Sequence, residues 1–263
     1  MPFVARGGAK IHYTDTGGTG PALVLSHSML MDQEMFELQQ AELGQRYRLL
    51  CIDSRGHGLT EDDGTPFSYW DLARDAWAVA DHLGIERVVA GGVAHGACTA
   101  LRMTLLARPR TRGLIVIGSA ASAMSPQRRA GYREVLDFWT GYVLPAPVMK
   151  MVSALTIGGT EEHRRPWREK WLAEDRSRIR QAADCVINRD SVLELLGDID
   201  CPALILRGVG DQATSPEDMQ EMAASLGGTA QVHTIAGAAI AANLTHPGEV
   251  NALFRMFMDG LPA

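Results

Sequence analysis

The run that most constrains this chain is a strand that must turn into a helix within five residues. Arg87-Val88-Val89-Ala90-Gly91 has the apolar character of a short buried strand. Ala97 to Ala107 has helical character. Between them, Gly92-Val93-Ala94-His95-Gly96 carries the glycines and spacing of a G-x-S-x-G turn, with alanine at the serine position. A sharp strand-to-helix turn strains its central residue, and the strain is ordinarily sustained because it exposes a nucleophile. Here it presents a methyl group. The pattern predicts positive φ at Ala94, a conformation that non-glycine residues rarely adopt.

Strand and helix patterns alternate around this turn, which predicts an α/β fold with a mostly parallel sheet. Further strands are expected at Ile11–Thr14, Ala22–Ser26, Tyr47–Ile52, Gly113–Gly118, Cys201–Gly208 and Gln231–Ile235. Asp71 to Leu83 carries apolar residues at helical spacing and stops at Gly84, a residue suited to a helix C-terminus. Pro216 to Leu226 and Val250 to Met258 read as later helices. From about Met124 to Leu196 the strand pattern disappears. That stretch is helical in character, holds Trp139, Tyr142, Trp167 and Trp171, and is interrupted by Pro145, Pro147 and Gly158-Gly159. The expected organisation is a core of residues 1–122 and 198–263 carrying a helical cap of residues 123–197.

A chain of 263 residues with 46% hydrophobic content suits one domain with a sizeable core. The net charge of -6 argues against nucleic acid or an anionic membrane as partner. No apolar run approaches the ~20 residues of a membrane span. Residues Met1 to Arg6 lack the pattern of a signal peptide, so a cytoplasmic protein is expected. Cys51, Cys98, Cys185 and Cys201 are widely spaced and read as free thiols. Gly208-Val209-Gly210 lacks the third glycine of a dinucleotide fingerprint, and no zinc-type motif is present. No cofactor and no metal are expected. A homodimer stays open.

Four other segments match a known pattern. Leu25-Ser26-His27-Ser28-Met29 has the place of a His-Gly oxyanion segment, and Asp53-Ser54-Arg55-Gly56-His57-Gly58 fits D-x-R-G-H-G. Ile199 to Asp211 is a strand leading to an acid. Ile235 to Leu244 resembles a segment of the type I-P-G-A-G-H-x-x-N. With the turn at Ala94, these resemble the α/β-hydrolase superfamily over essentially the whole chain, closest in look to its lactonase and esterase branch, which includes the 3-oxoadipate enol-lactonases. The resemblance implies an eight-stranded sheet flanked by helices, a helical cap, and an oxyanion hole formed by the backbone N–H groups of Met29 and His95. It places the triad acid on Asp211, the nucleophile position on Ala94 and the histidine position on Ile240. In such a triad the serine attacks, the histidine carries its proton and the acid orients the histidine. Ala94 cannot attack and Ile240 cannot accept a proton.

Asp211 reads either as a relic bound to nearby backbone or as a carboxylate made basic by an apolar pocket. His95 reads as a pocket wall or a packing residue, and Ser28 as a hydroxyl in the site or out of it. His27 and His57 read as supports, Cys98 as core, and His246 as a base only if its loop folds back. Trp139 and Tyr142 read equally as cap core and as ligand contacts. Three functional readings follow. The first is a non-hydrolytic enzyme that uses the oxyanion hole on an apolar carbonyl- or phenol-bearing small molecule for cyclisation, lyase chemistry or C–C bond formation, as in natural-product biosynthesis. The second is an ester or lactone hydrolase in an inactive variant form. The third is a non-catalytic small-molecule binding protein.

Overall fold

Apolar runs bounded by turn residues become strands wherever both faces can be covered, and the chain is built on a row of such runs. The computed structural model describes residues 2–141 and 143–262. Two antiparallel strands open it, β1 (Phe3–Arg6) and β2 (Ala9–Asp15). Next come β3 (Ala22–Ser26), β4 (Arg48–Ile52) and a two-residue arm, β5 (Glu61–Asp62), which pairs with β2. The remaining strands are β6 (Val88–Val93), β7 (Thr111–Ile117), β8 (Ala203–Gly208) and β9 (Ala230–Ile235). The spatial order is β1-β2-β4-β3-β6-β7-β8-β9. Every pairing from β4 to β9 is parallel, and β2 joins β4 antiparallel. The continuous path therefore has the expected eight strands, with β5 as a ninth beside it. All residues of β3 and β6 are buried, as a central parallel strand requires.

Helices cover both faces of the sheet. The first are α1 (Glu37–Leu43), α2 (Tyr69–His82) and α3 (His95–Leu106). Helix α2 starts two residues before the apolar spacing predicts, because Ser68 and Asp71 form a capping box in which each side chain accepts the other's backbone N–H. Four helices follow in the stretch without strands: α4 (Pro126–Thr140), α5 (Ala146–Thr156), α6 (Glu161–Ala173) and α7 (Arg180–Ile187). The chain ends with α8 (Pro216–Ser225), the short α9 (Ala242–Thr245) and α10 (Pro247–Asp259). Among the described residues, no helix is long and apolar enough to cross a membrane. The four cysteines are free; Cys51, Cys98 and Cys185 are buried and Cys201 is half-buried.

Helices α4 to α7 lie over the C-terminal ends of the parallel strands. Arg128 on α4 donates to the carbonyl of Ala213 at 2.8 Å, and Ala241 N–H donates to the carbonyl of Thr156 at 3.0 Å. Trp171 on α6 donates its indole N–H to the carbonyl of Leu30 at 2.5 Å. Trp139 and Trp171 pack edge to face, 4.8 Å between ring centres, and give this layer its own apolar centre. The layer therefore touches the loops after β3, β8 and β9, where ligands of open α/β sheets bind.

Candidate functional site

Strand β6 enters Ala94 at φ 48, ψ -103, and α3 begins at the next residue. The expected strained turn is present. Its flanking glycines are required by contact as well as by conformation. A Cβ on Gly96 would stand 1.9 Å from the carbonyl oxygen of Ser26, and one on Gly92 would stand 2.3 Å from the carbonyl carbon of Gly96. The first turn of α3 thus lies directly on the end of β3. The Ala94 N–H donates to the carbonyl of Ile117 at 2.8 Å, which ties the turn to β7.

A second strained residue faces it. Leu30, at φ 67, is the only other non-glycine residue at positive φ among the described residues. Strain of this kind costs about 1–3 kcal/mol per residue. Burying one Val, Leu or Ile side chain contributes about 1.5–3 kcal/mol, and β6 and β7 alone bury Val88, Val89, Val93, Leu114, Ile115, Val116 and Ile117 at 1% exposure or less. The core therefore sustains both strained positions. They bracket the backbone N–H groups of Met29 and His95, and no acceptor among the described residues takes either one. The helix dipole of α3 adds partial positive charge at the same place.

The loop carrying Met29 and Leu30 is held by histidines. His27 donates from Nδ1 to the carbonyl of Ser28 at 2.8 Å and accepts from the Ser54 N–H on Nε2 at 2.9 Å. His57 accepts the Leu30 N–H on Nε2 at 3.2 Å and donates from Nδ1 to the carbonyl of Arg55 at 3.1 Å. Asp53 accepts the N–H groups of Gln33 and Leu59. The D-x-R-G-H-G turn is thus a brace for the loop that carries Met29 and Leu30. Trp171 grips the same loop from the opposite side.

His95 contributes its backbone amide and keeps its ring inside. Nδ1 shares a hydrogen bond with the Tyr69 hydroxyl at 2.9 Å, and Nε2 is buried with no partner. The ring stands 5.7 Å from that of His57 and 6.4 Å from that of His27. Burial, then the neighbouring His27, pushes its pKa down to about 3. Burial likewise drives His57 well below the usual histidine range. Both rings are neutral at neutral pH.

The acid side is arranged differently. Asp211 is 3% exposed. Its Oδ1 accepts the N–H groups of Ala213 at 2.7 Å and Thr214 at 3.1 Å, while Oδ2 is buried without a partner. Burial raises its carboxyl above the usual range. A Cβ placed on Gly118 would lie 3.2 Å from Oδ2 and 3.3 Å from the Cγ2 of Ile240, so Asp211 and Ile240 both border Gly118. Ala94 itself is partly exposed and packs against the same large apolar cluster that Met29, Leu30, Val135, Ala213 and Leu244 also border.

Of the other residues singled out from the sequence, Ser28 is buried and its hydroxyl has no partner among the described residues. Trp139 is 2% exposed in the tryptophan pair and also borders a crevice with Leu30, His57 and Trp171. Tyr142 lies outside the described residues. Cys98 is core, with Sγ 3.2 Å from the Ser119 hydroxyl. His246 is bound to Thr245 at 2.9 Å, and its Nε2 lies beside Gly237, so it is pinned within its own loop. Leu30, Tyr69 and Trp171 belong to the site's frame and were not singled out as such from the sequence. Trp171 carried a signal, as one of several tryptophans in a strandless stretch. Leu30 carried none.

Comparison with known proteins agrees with this geometry. The alpha/beta hydrolase fold family matches residues 21–247. The 3-oxoadipate enol-lactonase 2 of Acinetobacter baylyi is 31% identical over 76% of this chain and 75% of its own. A pimeloyl-[acyl-carrier protein] methyl ester esterase of Xanthomonas oryzae pv. oryzae is 26% identical over 95% of this chain and all of its own. Among solved structures, an esterase from Thermogutta terrifontis superposes with TM-score 0.86 at 25% identity, covering 95% of this chain and 93% of that one. The enol-lactonase from Burkholderia xenovorans LB400 also gives 0.86, at 23% identity, covering 98% of this chain and 100% of that one, and bears on the fold alone. With most of its length inside the family match and its strained turn where that fold sets its elbow, the chain belongs to the α/β-hydrolase superfamily.

Proposed function

We propose that this protein is a non-hydrolytic α/β-hydrolase-fold enzyme. It binds an apolar small molecule beneath helices α4 to α7 and sets a carbonyl or phenolic oxygen of that molecule on the amides of Met29 and His95. The single observation that carries this reading is the pairing of a strained, fully built turn at Ala94 with a side chain that has no chemistry. The backbone of an acyl-transfer site is kept. The nucleophile position holds a methyl group and the histidine position holds Ile240.

The amide pair stabilises negative charge that develops on a carbonyl or phenolic oxygen, a contribution worth about 3–4 kcal/mol per donor in acyl-transfer sites. The apolar side chains of Ala94 and Leu30, each next in sequence to one of these amides, withhold water from that oxygen and strengthen the interaction. Such a site favours enolate- or phenolate-like intermediates, as in cyclisation, lyase chemistry or C–C bond formation, over attack by water. The relatives named above are an enol-lactonase and a methyl ester esterase, whose lactone and ester substrates carry the carbonyl that this amide pair is suited to hold. A second reading, a binding protein without turnover, is supported by the acid side. Asp211 Oδ2 is buried without a partner, and His95 turns its ring toward Tyr69.

The test uses para-nitrophenol as probe in an amide-resolved NMR titration. The reading expects the Met29 and His95 resonances to move together and saturate, and expects Ala94→Leu to abolish the effect in a folded protein. Saturable shifts elsewhere with these two amides silent would overturn it. Turnover of a carbonyl substrate at this site would separate the enzyme from the binding protein.

A further inference from the structure

The two amides of the site differ in what lies behind them. A peptide N–H becomes a stronger donor when the carbonyl of its own peptide group accepts a hydrogen bond, because each bond polarises the next. Behind the His95 N–H is the carbonyl of Ala94, which accepts the Cys98 N–H at 3.1 Å, so helix α3 itself supplies the series. Behind the Met29 N–H is the carbonyl of Ser28, which belongs to no helix. That carbonyl accepts the Met31 N–H at 3.1 Å and His27 Nδ1 at 2.8 Å.

The Met31 bond has a continuation. The peptide group that carries the Met31 N–H also carries the carbonyl of Leu30, and that carbonyl accepts the Trp171 indole N–H at 2.5 Å. The bonds therefore run in series, from the indole through the Leu30–Met31 peptide and the Ser28–Met29 peptide, to the Met29 N–H. Leu30 makes the series possible. It is the third residue of the four-residue turn that the Met31 bond closes, at φ 67, a conformation that turns favour for glycine. Its N–H is fixed on His57 of the core at 3.2 Å, and its carbonyl on helix α6. The indole is itself well seated. Trp171 is buried against Trp139, and its neighbour Lys170 pairs with Asp32 and Glu34, just beyond the turn. An ion pair and an indole bond thus seat α6 on the same loop.

We propose that Trp171 is a positioning residue for the Met29 amide: its indole N–H heads a hydrogen-bond series that orients and polarises this donor, as helix α3 does for His95. This rests on the reading of the two amides as the place of the ligand's oxygen. One donor is supplied by the core, and the other is set from the layer of α4 to α7, so the pair is complete only with α6 in place. The coupling is reciprocal. Negative charge on an oxygen held by Met29 strengthens the indole bond, and the indole bond strengthens the hold on that oxygen by the same factor.

The test reads backbone nitrogen and carbonyl-carbon resonances by NMR in the unsubstituted protein and in Trp171→Phe, which keeps a ring against Trp139 and removes the N–H. Without ligand, the Leu30 carbonyl and Met31 nitrogen are expected to move upfield most in the variant. The Ser28 carbonyl and Met29 nitrogen are expected to follow by less, and the Ala94 carbonyl and His95 nitrogen to stay. A role in packing alone would not produce that order. Para-nitrophenol is expected to bind the variant at least about twofold more weakly. A second measurement needs no variant: in the unsubstituted protein the Trp171 indole nitrogen is expected to move downfield on the same saturation curve as Met29. Equal displacement of Met29 and His95, a Met29 resonance or a para-nitrophenol affinity unchanged in a folded Trp171→Phe, or an indole resonance that stays fixed while Met29 saturates would overturn the proposal. The ligand-free spectra separate the two readings. If they show the graded series while para-nitrophenol moves neither amide, the series from Trp171 stands and the use of these amides as a ligand site falls.

Discussion

The elbow side of the site and its acid side differ in how many separate contacts hold them. On the elbow side, Leu30 is held at N–H and C=O by His57 and Trp171, and His27 commits both ring nitrogens. On the acid side, Asp211 keeps two backbone donors on Oδ1 and leaves Oδ2 buried without a partner. The elbow geometry is backbone geometry, over-determined by contacts from β3, β7, the His57 turn and α6. A triad relay is side-chain geometry and rests on one residue at each position. The first persists as long as the core folds. The second can be lost with two substitutions and no change to the core, as we propose for Ala94 and Ile240.

Four expectations sharpen or break this contrast. The largest effect is expected from Gly96→Ala, whose Cβ would meet the Ser26 carbonyl at 1.9 Å. It is expected to cost about 3 kcal/mol or more, because strand backbone must move. A denaturation midpoint near that of the unsubstituted protein would show that the elbow is not over-determined.

The next effect concerns pH, and the two sides carry opposite signs. His95 and His57 titrate far lower in the folded protein than the ordinary value of 6.5. The unfolded chain therefore binds protons that the folded chain refuses. Their stabilisation is present above pH 6.5 and is lost as pH falls toward about 3. Asp211 is raised above its ordinary 3.8, so its contribution is present below 3.8 and is lost as pH rises through the folded value. Denaturant titrations from pH 7 to pH 4 are expected to show a steep acid limb that His95→Phe flattens, at the cost of an unpaired Tyr69 hydroxyl. An acid limb unchanged by that substitution would mean that the buried rings do not govern it.

A smaller effect is expected from Ala94→Gly. Glycine accepts φ 48 without the steric cost borne by alanine, but it loses more freedom on folding. The net gain is expected to be about 1 kcal/mol, or roughly 2–4 °C in melting temperature for a domain of this size. A loss instead would mean that the alanine methyl is bound more tightly than its partial exposure suggests.

The smallest effect is expected from Asp211→Asn. The amide oxygen retains the Ala213 and Thr214 N–H groups, and the unpaired Oδ2 is exchanged for an uncharged group. Melting temperature at pH 7 is expected to be unchanged or slightly higher. A large loss would show that the ionised acid still holds this loop.

The core and the elbow were legible in the sequence because their causes are local. Continuous apolar runs give buried parallel strands, and glycines at 92 and 96 with alanine between them give the positive φ found at Ala94. Strand β1 was not legible, since only Val4 of its four residues is buried and no alternation shows. Leu30 was not legible either. Its conformation comes from His57 and Trp171, which lie 27 and 141 residues away along the chain.

The most direct test of the central claim is turnover of para-nitrophenyl butyrate by four proteins: the unsubstituted chain, Ala94→Ser, Ile240→His and the double variant. A backbone kept for acyl transfer, with its relay removed, predicts no turnover above a buffer blank in the first three. It predicts measurable turnover only in the double variant, because nucleophile and base act as a unit. Hydrolysis by the unsubstituted chain that Ala94→Leu abolishes, or full activity from Ala94→Ser alone, would contradict the account.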